Sequence, residues 1–277
     1  MKADCHIHMV LDGYNWQTAI ARHSQKPEEV FIRKALSRYQ ELGYTYLRDG
    51  GDRWGVGSVA RALAPEYGIT YRTPLSPLHR QGHYGSFIGT AFENLQEFTQ
   101  LVVRTKKQGG DFIKIMISGL MDFDQFGVLT EPGLPQKEIR ELIHIAHQEG
   151  LAVMVHANGA RTVEAAAEAG VESVEHGAYL DAEALAAMEQ NGTVWVPTLS
   201  TIANLRGRGR FSEEAVEKIL ESAMENLASY KGFVAPGTDA GAWAVPHGIE
   251  TEEALLSTAG IEGDRLQAGI LRIKECF

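Results

Sequence analysis

Two histidines near the start of the chain are spaced so that a single β-strand would present both of them to a metal ion. His6 and His8 lie in the apolar stretch of residues 3–10. Residues two apart on a strand project from the same face. Any two histidines at this spacing would match, and a pair of structural histidines is an equally common explanation. The pair is therefore informative only together with other metal-binding residues.

Four further groups that can hold a metal follow strand-like runs later in the chain. Each stands at or near the C-terminal end of an apolar run, just before glycine, asparagine or a polar loop. These groups are Lys114, His156, His176 and Asp239. Asp239 has a simpler alternative as the cap of a turn or helix, but the other candidates outweigh it. Glu175 precedes His176 on the same run, so its side chain faces the opposite side and we expect a supporting role.

Lys114 is the most unusual of these residues because it interrupts the apolar run 112–117. An ammonium group there would lose its hydration without an evident partner. A lysine at a strand end can also reach solvent or pair with a carboxylate. Desolvation, however, lowers the pKa of a lysine and favours the neutral amine. A neutral amine reacts with carbon dioxide, and the resulting carbamate is an anionic two-oxygen group able to bridge two cations.

The elements that must position these residues alternate along the chain. Short apolar runs are separated by longer amphipathic segments, a pattern typical of parallel strands that return through helices. We predict strands near residues 2–9, 43–49, 68–74, 111–117, 151–156, 172–176, 193–198 and 232–238. We predict helices near residues 28–42, 56–65, 91–108, 135–149, 159–169, 181–190, 212–230, 250–258 and 264–274. Eight such units in about 250 residues predict an α/β fold, a (β/α)8 TIM barrel whose active site lies at the C-terminal ends of the strands. We expect residues 1–277 to form this one domain.

Composition narrows the range of partners. The chain has 277 residues, of which 44% are hydrophobic, and a formal net charge of −10. Polyphosphate backbones and anionic membranes repel such a chain, so we expect a small-molecule substrate and neither nucleic acid nor membrane as a partner. Two cysteines are too few for a disulfide framework. No leader is recognisable, and no apolar run approaches the roughly 20 residues that cross a bilayer, so we expect a cytoplasmic protein.

The order of the candidate ligands resembles the amidohydrolase superfamily. The His6-x-His8 pair, a lysine on the fourth strand, histidines on the fifth and sixth and an aspartate on the eighth all occur in that family's order. The resemblance extends from residue 3 to about residue 248. The stretch from His156 through His176 and on to Trp195-Val-Pro-Thr-Leu resembles the branch that contains imidazolonepropionase-like and Xaa-Pro dipeptidase-like enzymes.

The resemblance implies a binuclear metal centre that activates water for hydrolysis, with Asp239 carrying the proton to the leaving nitrogen. Zinc is the usual metal, although manganese, iron or cobalt also suit imidazole and carboxylate ligands. Carried over by position, the ligands divide between two metals and a bridge: His6, His8 and Asp239 for the first, His156 and His176 for the second, and carbamylated Lys114 between them.

Loop residues on the same face are the candidates for contact with substrate. The longer predicted loops there cover residues 11–27, 75–90, 118–134, 199–211 and 240–249. Exposed loop histidines and arginines are commonly only solvated, which is the alternative for each candidate. The residues that we select are His79, Arg80, His83, Tyr84, Asn158 and His247. Candidates for binding a substrate carboxylate through paired hydrogen bonds are Arg53, Arg80, Arg206, Arg208 and Arg210.

Together these observations predict a metal-dependent amidohydrolase that cleaves a C–N bond in a small amide, cyclic amide or N-acyl or dipeptide substrate. The alternatives are a lactonase or phosphotriesterase-type ester hydrolase on the same centre, and a metal-binding barrel without turnover. A mononuclear deaminase is disfavoured because Lys114 stands at the bridging position. Since the sequence starts at the first barrel strand, we expect no accessory β-sandwich and hypothesise that a homo-oligomer covers the uncovered flank.

Overall fold

Parallel strands form the inner wall of the molecule in the computed structural model, which describes residues 1–277. The strands are β1 (Lys2–Ile7), β2 (Tyr44–Asp49), β3 (Thr70–Arg72), β4 (Leu78–Arg80), β5 (Thr90–Phe92), β6 (Ile113–Met116), β7 (Val153–Ala157), β8 (Ser173–His176) and β9 (Val194–Val196). They pair in two sheets, in the orders β1-β2-β3 and β5-β4-β6-β7-β8-β9. Every pairing is parallel.

Backbone contacts outside the regular strands join the two sheets into a barrel. We call each of the eight strand positions in the barrel wall a stave. Residues 234–240 supply the eighth stave, because Val234 bridges to Trp195 of β9 and Ala240 bridges to Ile7 of β1. At the other junction, the amide of Asp111 donates to the carbonyl of Thr73, 2.9 Å away. The chain is therefore an α/β protein with the (β/α)8 TIM-barrel architecture that the alternating pattern predicted.

Eleven helices surround the strands: α1 (Trp16–Arg22), α2 (Glu29–Glu41), α3 (Val56–Leu63), α4 (Leu95–Lys107), α5 (Gln136–Gln148), α6 (Ala160–Glu168), α7 (Ala182–Asn191), α8 (Ser200–Ala203), α9 (Glu213–Ser229), α10 (Thr251–Thr258) and α11 (Gly263–Cys276). Asn15, Asn94, Asp181 and Ser212 begin α1, α4, α7 and α9, each accepting a hydrogen bond from the amide three residues on. None of the helices combines the length and apolar character that crossing a membrane requires.

The structure differs from the predicted elements mainly in the third and eighth staves and in the loops. The third predicted strand is shortened to β3, and β4 continues it after Pro74 and Pro77, whose nitrogens cannot donate to a ladder. The eighth predicted strand is held by isolated bridges. Elements α1, β4 and α8 formed inside predicted loops, because segments this short carry too few residues to show a periodic apolar pattern.

Apolar side chains fill the barrel below its C-terminal end. Cys5, Phe112, Met154 and Val196 from different staves pack together there. Ile270 of α11 joins the same cluster, so this helix closes the opposite end of the barrel. The buried polar side chains Arg48, Ser173 and Glu175 also lie inside the barrel, bonded to one another. At the C-terminal ends of the strands, side chains from several staves can meet.

Candidate metal centre

One cavity at the C-terminal ends of the strands collects every predicted metal-binding side chain. Its volume is about 680 Å³. Two of these side chains come from β1 and the residue that follows it. One side chain comes from each of β6, β7 and β8, and the last comes from the eighth stave. The six are His6, His8, Lys114, His156, His176 and Asp239.

Three ligand atoms converge most closely. His6 Nε2 and His8 Nε2 lie 3.3 Å apart. Asp239 Oδ1 lies 3.3 Å from His8 Nε2 and 3.6 Å from His6 Nε2. All three side chains are buried, and lone pairs gathered this closely repel one another unless a proton or a cation lies between them. Two imidazoles and a carboxylate are a donor set that suits zinc and similar divalent metals.

A second pair of imidazoles lies beside the first group. The ring centroids of His156 and His176 are 4.5 Å apart, and His176 is 5.2 Å from His6. His176 Nδ1 lies 2.7 Å from Thr198 Oγ1, and His156 Nε2 lies 3.2 Å from the carbonyl of Gly119. These contacts leave His176 Nε2 and His156 Nδ1 available as ligand atoms. Sequence reasoning missed Thr198, which no metal-ligand pattern distinguishes from other loop hydroxyls.

Lys114 is buried among these imidazoles and does not reach solvent. Its side chain is 1% exposed, and its Nζ has no hydrogen-bond partner. Burial lowers the pKa of Lys114 to about 8, against the opposing effect of Glu175 and Asp239. Burial, with Lys114 nearby, also lowers the pKa of His8 and His156 to about 3. Both imidazoles are therefore neutral near pH 7, which is the form that binds metals.

The backbone is strained where three staves end at the cavity. His176, Thr198 and Asp239 have φ angles of 70°, 50° and 58°. This left-handed region is uncommon for residues other than glycine and clusters at functional sites. Two of these residues, His176 and Asp239, are candidate ligands, so the unusual backbone lies at the site itself.

Unpartnered polar atoms test whether the residues fit a metal centre. Lys114 Nζ, Asp239 Oδ1 and His8 Nδ1 are buried without a hydrogen-bond partner. Buried polar groups are nearly always paired, so three such atoms around one cavity are unusual. A site completed by cations accounts for the unpaired carboxylate oxygen and for the convergence of ring nitrogens. The donor set therefore fits divalent metal ions.

Of the six predicted substrate-contact residues, Tyr84 and Asn158 line the cavity. The Tyr84 ring lies 4.7 Å from the His156 ring. Asn158 is fully buried, donating from Nδ2 to the carbonyl of Gly119 at 3.0 Å and accepting at Oδ1 from the amide of Ala178 at 3.0 Å. Asn158 thus ties together the loops that follow β6, β7 and β8.

The other four candidates do not line the cavity. His247 is held between Tyr39 Oη at 3.1 Å and the carbonyl of Leu11 at 3.0 Å. Arg80 pairs with Glu138 at 2.9 Å. His79 is buried, and its Nδ1 faces the carbonyl of Arg80. His83 is partly buried outside the cavity wall. The structure thus places these four side chains outside the cavity wall, and a substrate role for them stays a prediction from the sequence.

The five candidate arginines differ in their contacts and in whether they line the cavity. Arg53 lines a different cavity, of about 490 Å³. Arg206 Nη2 pairs with Glu217 Oε2 at 2.6 Å, and Arg208 Nε donates to the carbonyl of Asn204 at 3.3 Å. Only Arg210 lines the metal-ligand cavity. Its guanidinium lies 5.0 Å from the Trp243 ring and 5.2 Å from the Phe211 ring.

Aromatic side chains from several loops form much of the cavity wall, and among them only Tyr84 was a candidate from the sequence. Their only sequence signal is their position in loops of the catalytic face. They are Tyr14, Trp16, Tyr84, Phe87, Phe123, Phe211 and Trp243.

Replacing Asn158 by alanine is expected to lower the free energy of unfolding by about 2–4 kcal/mol, because the Gly119 carbonyl and the Ala178 amide lose their buried partner. Chemical denaturation of the purified variant measures this change. The matched control is Asn191→Ala, which removes an exposed bond to the Ala187 carbonyl and is expected to change stability by less than about 0.5 kcal/mol. Equal stability of the two variants would contradict the structural role of Asn158.

Comparison with known proteins gives one family and one fold. Residues 4–270 match the model of the Amidohydrolase family. Ochratoxinase from Aspergillus niger is 26% identical over 274 residues, covering 84% of this chain and 55% of that protein. An uncharacterized protein from Mycobacterium tuberculosis is 26% identical over 194 residues, covering 66% of this chain and 51% of that protein. The chain thus spans about half the length of the curated relatives it matches.

Two solved structures share the barrel. A Xaa-Pro dipeptidase with bound methionine superposes with a TM-score of 0.76 and 21% identity, covering 99% of this chain and 75% of that one. The crystal structure of A. niger ochratoxinase gives a TM-score of 0.75 and 21% identity, covering 98% of this chain and 68% of that one. At these identities the likeness establishes the fold.

Proposed function

This chain belongs to the amidohydrolase family, and from that membership we propose that it is a metal-dependent hydrolase acting on a C–N bond in an amide, N-acyl or dipeptide-like substrate. The family predicted from the order of the histidines is thereby confirmed. The observation that carries the proposed activity is the convergence of His6 Nε2, His8 Nε2 and Asp239 Oδ1 in a cavity large enough for a small molecule. The name of one structural neighbour, a Xaa-Pro dipeptidase, supports an amide as the substrate.

The proposed cofactor is a pair of divalent metal ions, with zinc as the first choice. The first ion would be held by His6, His8 and Asp239, the second by His156 and His176, with Lys114 as a carbamate between them. Bound there, the ions would supply Lewis acidity to a substrate carbonyl and lower the pKa of water. The neutral Lys114 amine would lose one proton as its nitrogen bonds to carbon dioxide. Its burial favours that neutral form.

Asp239 is the residue that we assign to proton transfer. Its Oδ1 faces the ring nitrogens and has no partner within the protein. In the proposed reaction Asp239 accepts a proton from the attacking water as the C–O bond forms. It then delivers that proton to the nitrogen as the C–N bond breaks. The carboxyl group thus returns to its starting state after each turnover.

Tyr84 is assigned to substrate binding. Burial, with a smaller contribution from Asp239, raises the pKa of Tyr84 well above its usual value. The hydroxyl therefore keeps its proton and remains a hydrogen-bond donor at any working pH. Tyr84 lines the cavity and its ring lies against His156, which supports a contact between this side chain and a substrate bound there.

The cavity wall supports a substrate that combines an apolar group with a carboxylate. Aromatic rings favour an apolar or aromatic substituent through area burial. Arg210, stacked on Phe211 and Trp243, is the one arginine available to pair with a carboxylate. N-acyl amino acids and dipeptides with apolar side chains meet both requirements.

A substrate screen of the zinc-loaded and manganese-loaded protein tests the proposed function. The compounds are N-acyl amino acids, apolar dipeptides including Xaa-Pro, cyclic amides, lactones and phosphotriesters. We expect turnover of at least one amide class, with the largest kcat/KM for compounds that carry a free carboxylate. Cleavage of lactones or phosphotriesters alone would overturn the C–N assignment, and no turnover by metal-loaded protein would overturn hydrolysis by this centre.

Replacing Arg210 by glutamine is expected to raise KM about tenfold for carboxylate-bearing substrates with little change in kcat, because a charged hydrogen bond common to ground and transition states is lost. Steady-state kinetics measure both constants. Arg208→Gln is the matched control, since Arg208 lies in the same loop but bonds to the Asn204 carbonyl. An equal rise in KM for an uncharged amide of the same substrate would contradict carboxylate recognition.

A further inference from the structure

Glu175 contacts the first candidate ligand on the ring edge away from the cavity. His6 directs Nε2 toward Asp239, and His6 Nδ1 lies 2.8 Å from Glu175 Oε2. Both side chains are fully buried, and neither of these two atoms makes a hydrogen bond of regular geometry with any group. A carboxylate oxygen and a ring nitrogen this close cannot both present lone pairs, so a proton must lie between them. His6 Nδ1 is the atom that can carry it.

The other carboxylate oxygen of Glu175 already accepts two hydrogen bonds. Glu175 Oε1 accepts from Arg48 Nη2 at 2.7 Å and from Ser173 Oγ at 2.6 Å. Arg48 is itself held, donating from Nε to the carbonyl of Cys5 at 2.7 Å and from Nη1 to Ser173 Oγ at 2.8 Å. A guanidinium has donors only, so Oε1 cannot turn away from it. Oε2 is therefore the oxygen left for His6.

We propose that the buried Arg48–Glu175 pair sets the tautomer of His6, keeping the proton on Nδ1 and the lone pair of Nε2 directed at the metal centre. Arg48 balances the charge of Glu175, so the imidazole is oriented without adding net charge beneath the site. Both are positioning residues, because neither reaches the cavity. This inference rests on the proposed metal centre. A buried ion pair is weak evidence for a role in stability, since desolvation offsets its attraction.

Glu175→Gln tests this inference because its effect on the tautomer has a definite direction. Arg48 and Ser173 both donate, so they hold the carbonyl oxygen of the introduced glutamine. Its NH2 group then faces His6 Nδ1, which must become an acceptor, and the ring proton moves to Nε2. The expected result is a 10- to 100-fold weaker affinity for zinc, measured by titrating metal-free protein with Zn²⁺ in competition with a chelator.

The matched control is Glu252→Gln. Glu252 is equally buried and accepts from the amides of Leu199 and Ser200, but it contacts no imidazole. We expect this variant to keep wild-type zinc affinity even if its stability falls. Equal loss of affinity in both variants would overturn the specific role of Glu175.

The double variant R48M/E175Q distinguishes tautomer control from a purely structural role. Without the guanidinium, the introduced amide can rotate and turn its oxygen to His6 Nδ1, since the Ser173 hydroxyl can then accept instead of donate. We expect zinc affinity to recover to within about tenfold of the wild type. A double variant whose zinc affinity is no higher than that of E175Q would count against tautomer control.

A direct measurement keeps the inference falsifiable if the variants fold poorly. Nitrogen-15 NMR of the metal-free wild-type protein, with His6 assigned by comparison with His6→Gln, should show the proton on Nδ1. A proton on His6 Nε2 would overturn the inference outright. A protein that shows the Nδ1 tautomer but binds no zinc would instead refute the proposed metal centre, so the two failures are distinguishable.

Discussion

Replacing Asp239 by asparagine is expected to lower the kcat of the zinc-loaded protein by roughly 100- to 10,000-fold, the contribution typical of a positioned acid or base. The amide keeps an oxygen near His8 Nε2 but cannot accept and release the proton. We therefore expect metal content, measured by elemental analysis, to stay close to that of the wild type. Steady-state rates on the best substrate of the amide screen measure the loss.

Asp122→Asn is the matched control for the proton carrier. Asp122 also lines the cavity, but its carboxylate accepts from the amides of Asp124 and Gln125 and contacts no candidate ligand. We expect its kcat to remain within about threefold of the wild type, because Asp122 takes no part in the proposed proton transfer. If Asp239→Asn also retained its rate, with metal bound, Asp239 would not be the acid and base of this reaction.

Replacing Lys114 by alanine is expected to reduce the metal content from two ions to at most one per chain and to lower turnover on the order of 1,000-fold. Metal ions stabilise developing charge by several kcal/mol, and each 1.36 kcal/mol is a factor of ten in rate. Elemental analysis and kinetics on the same preparation measure both effects. Lys106→Ala is the control, since Lys106 pairs with Glu149 at the surface.

Carbon dioxide and small carboxylates provide the tests specific to a carbamate. Metal reconstitution of the wild-type protein in buffer depleted of carbon dioxide should leave metal content low, and bicarbonate should restore it. In Lys114→Ala, the space left by the side chain should admit formate or acetate, whose two oxygens replace those of the carbamate. A variant that holds two metals and turns over normally without either addition would refute the bridging role.

The Asp239→Asn and Lys114→Ala variants distinguish proton transfer from metal binding. Asp239→Asn should lose rate while keeping metal, whereas Lys114→Ala should lose both. A protein that binds metal without turnover would show no rate to lose in either variant. Measuring metal content beside kcat therefore distinguishes an enzyme from the metal-binding barrel considered in the sequence analysis.

The sequence alone was sufficient to predict the barrel and the six side chains that meet at its mouth. Strand periodicity is a local property, and parallel strands in a βα series must bring their C-terminal ends to the same face. Once His6, Lys114 and Asp239 are placed at strand ends, their proximity follows from that topology. Burial of Lys114 was predictable for the same reason, because its neighbours in the strand are apolar.

Only the tertiary structure decided which neighbouring side chains serve the site. Five arginines were equivalent as loop residues, and Arg210 was distinguished because the others turn to Glu217, Glu138, the Asn204 carbonyl or a separate cavity. The His6–Glu175 and His176–Thr198 contacts likewise join residues from different staves. Such contacts depend on side-chain directions and loop paths set by packing across the whole barrel, and no local pattern in the chain encodes them.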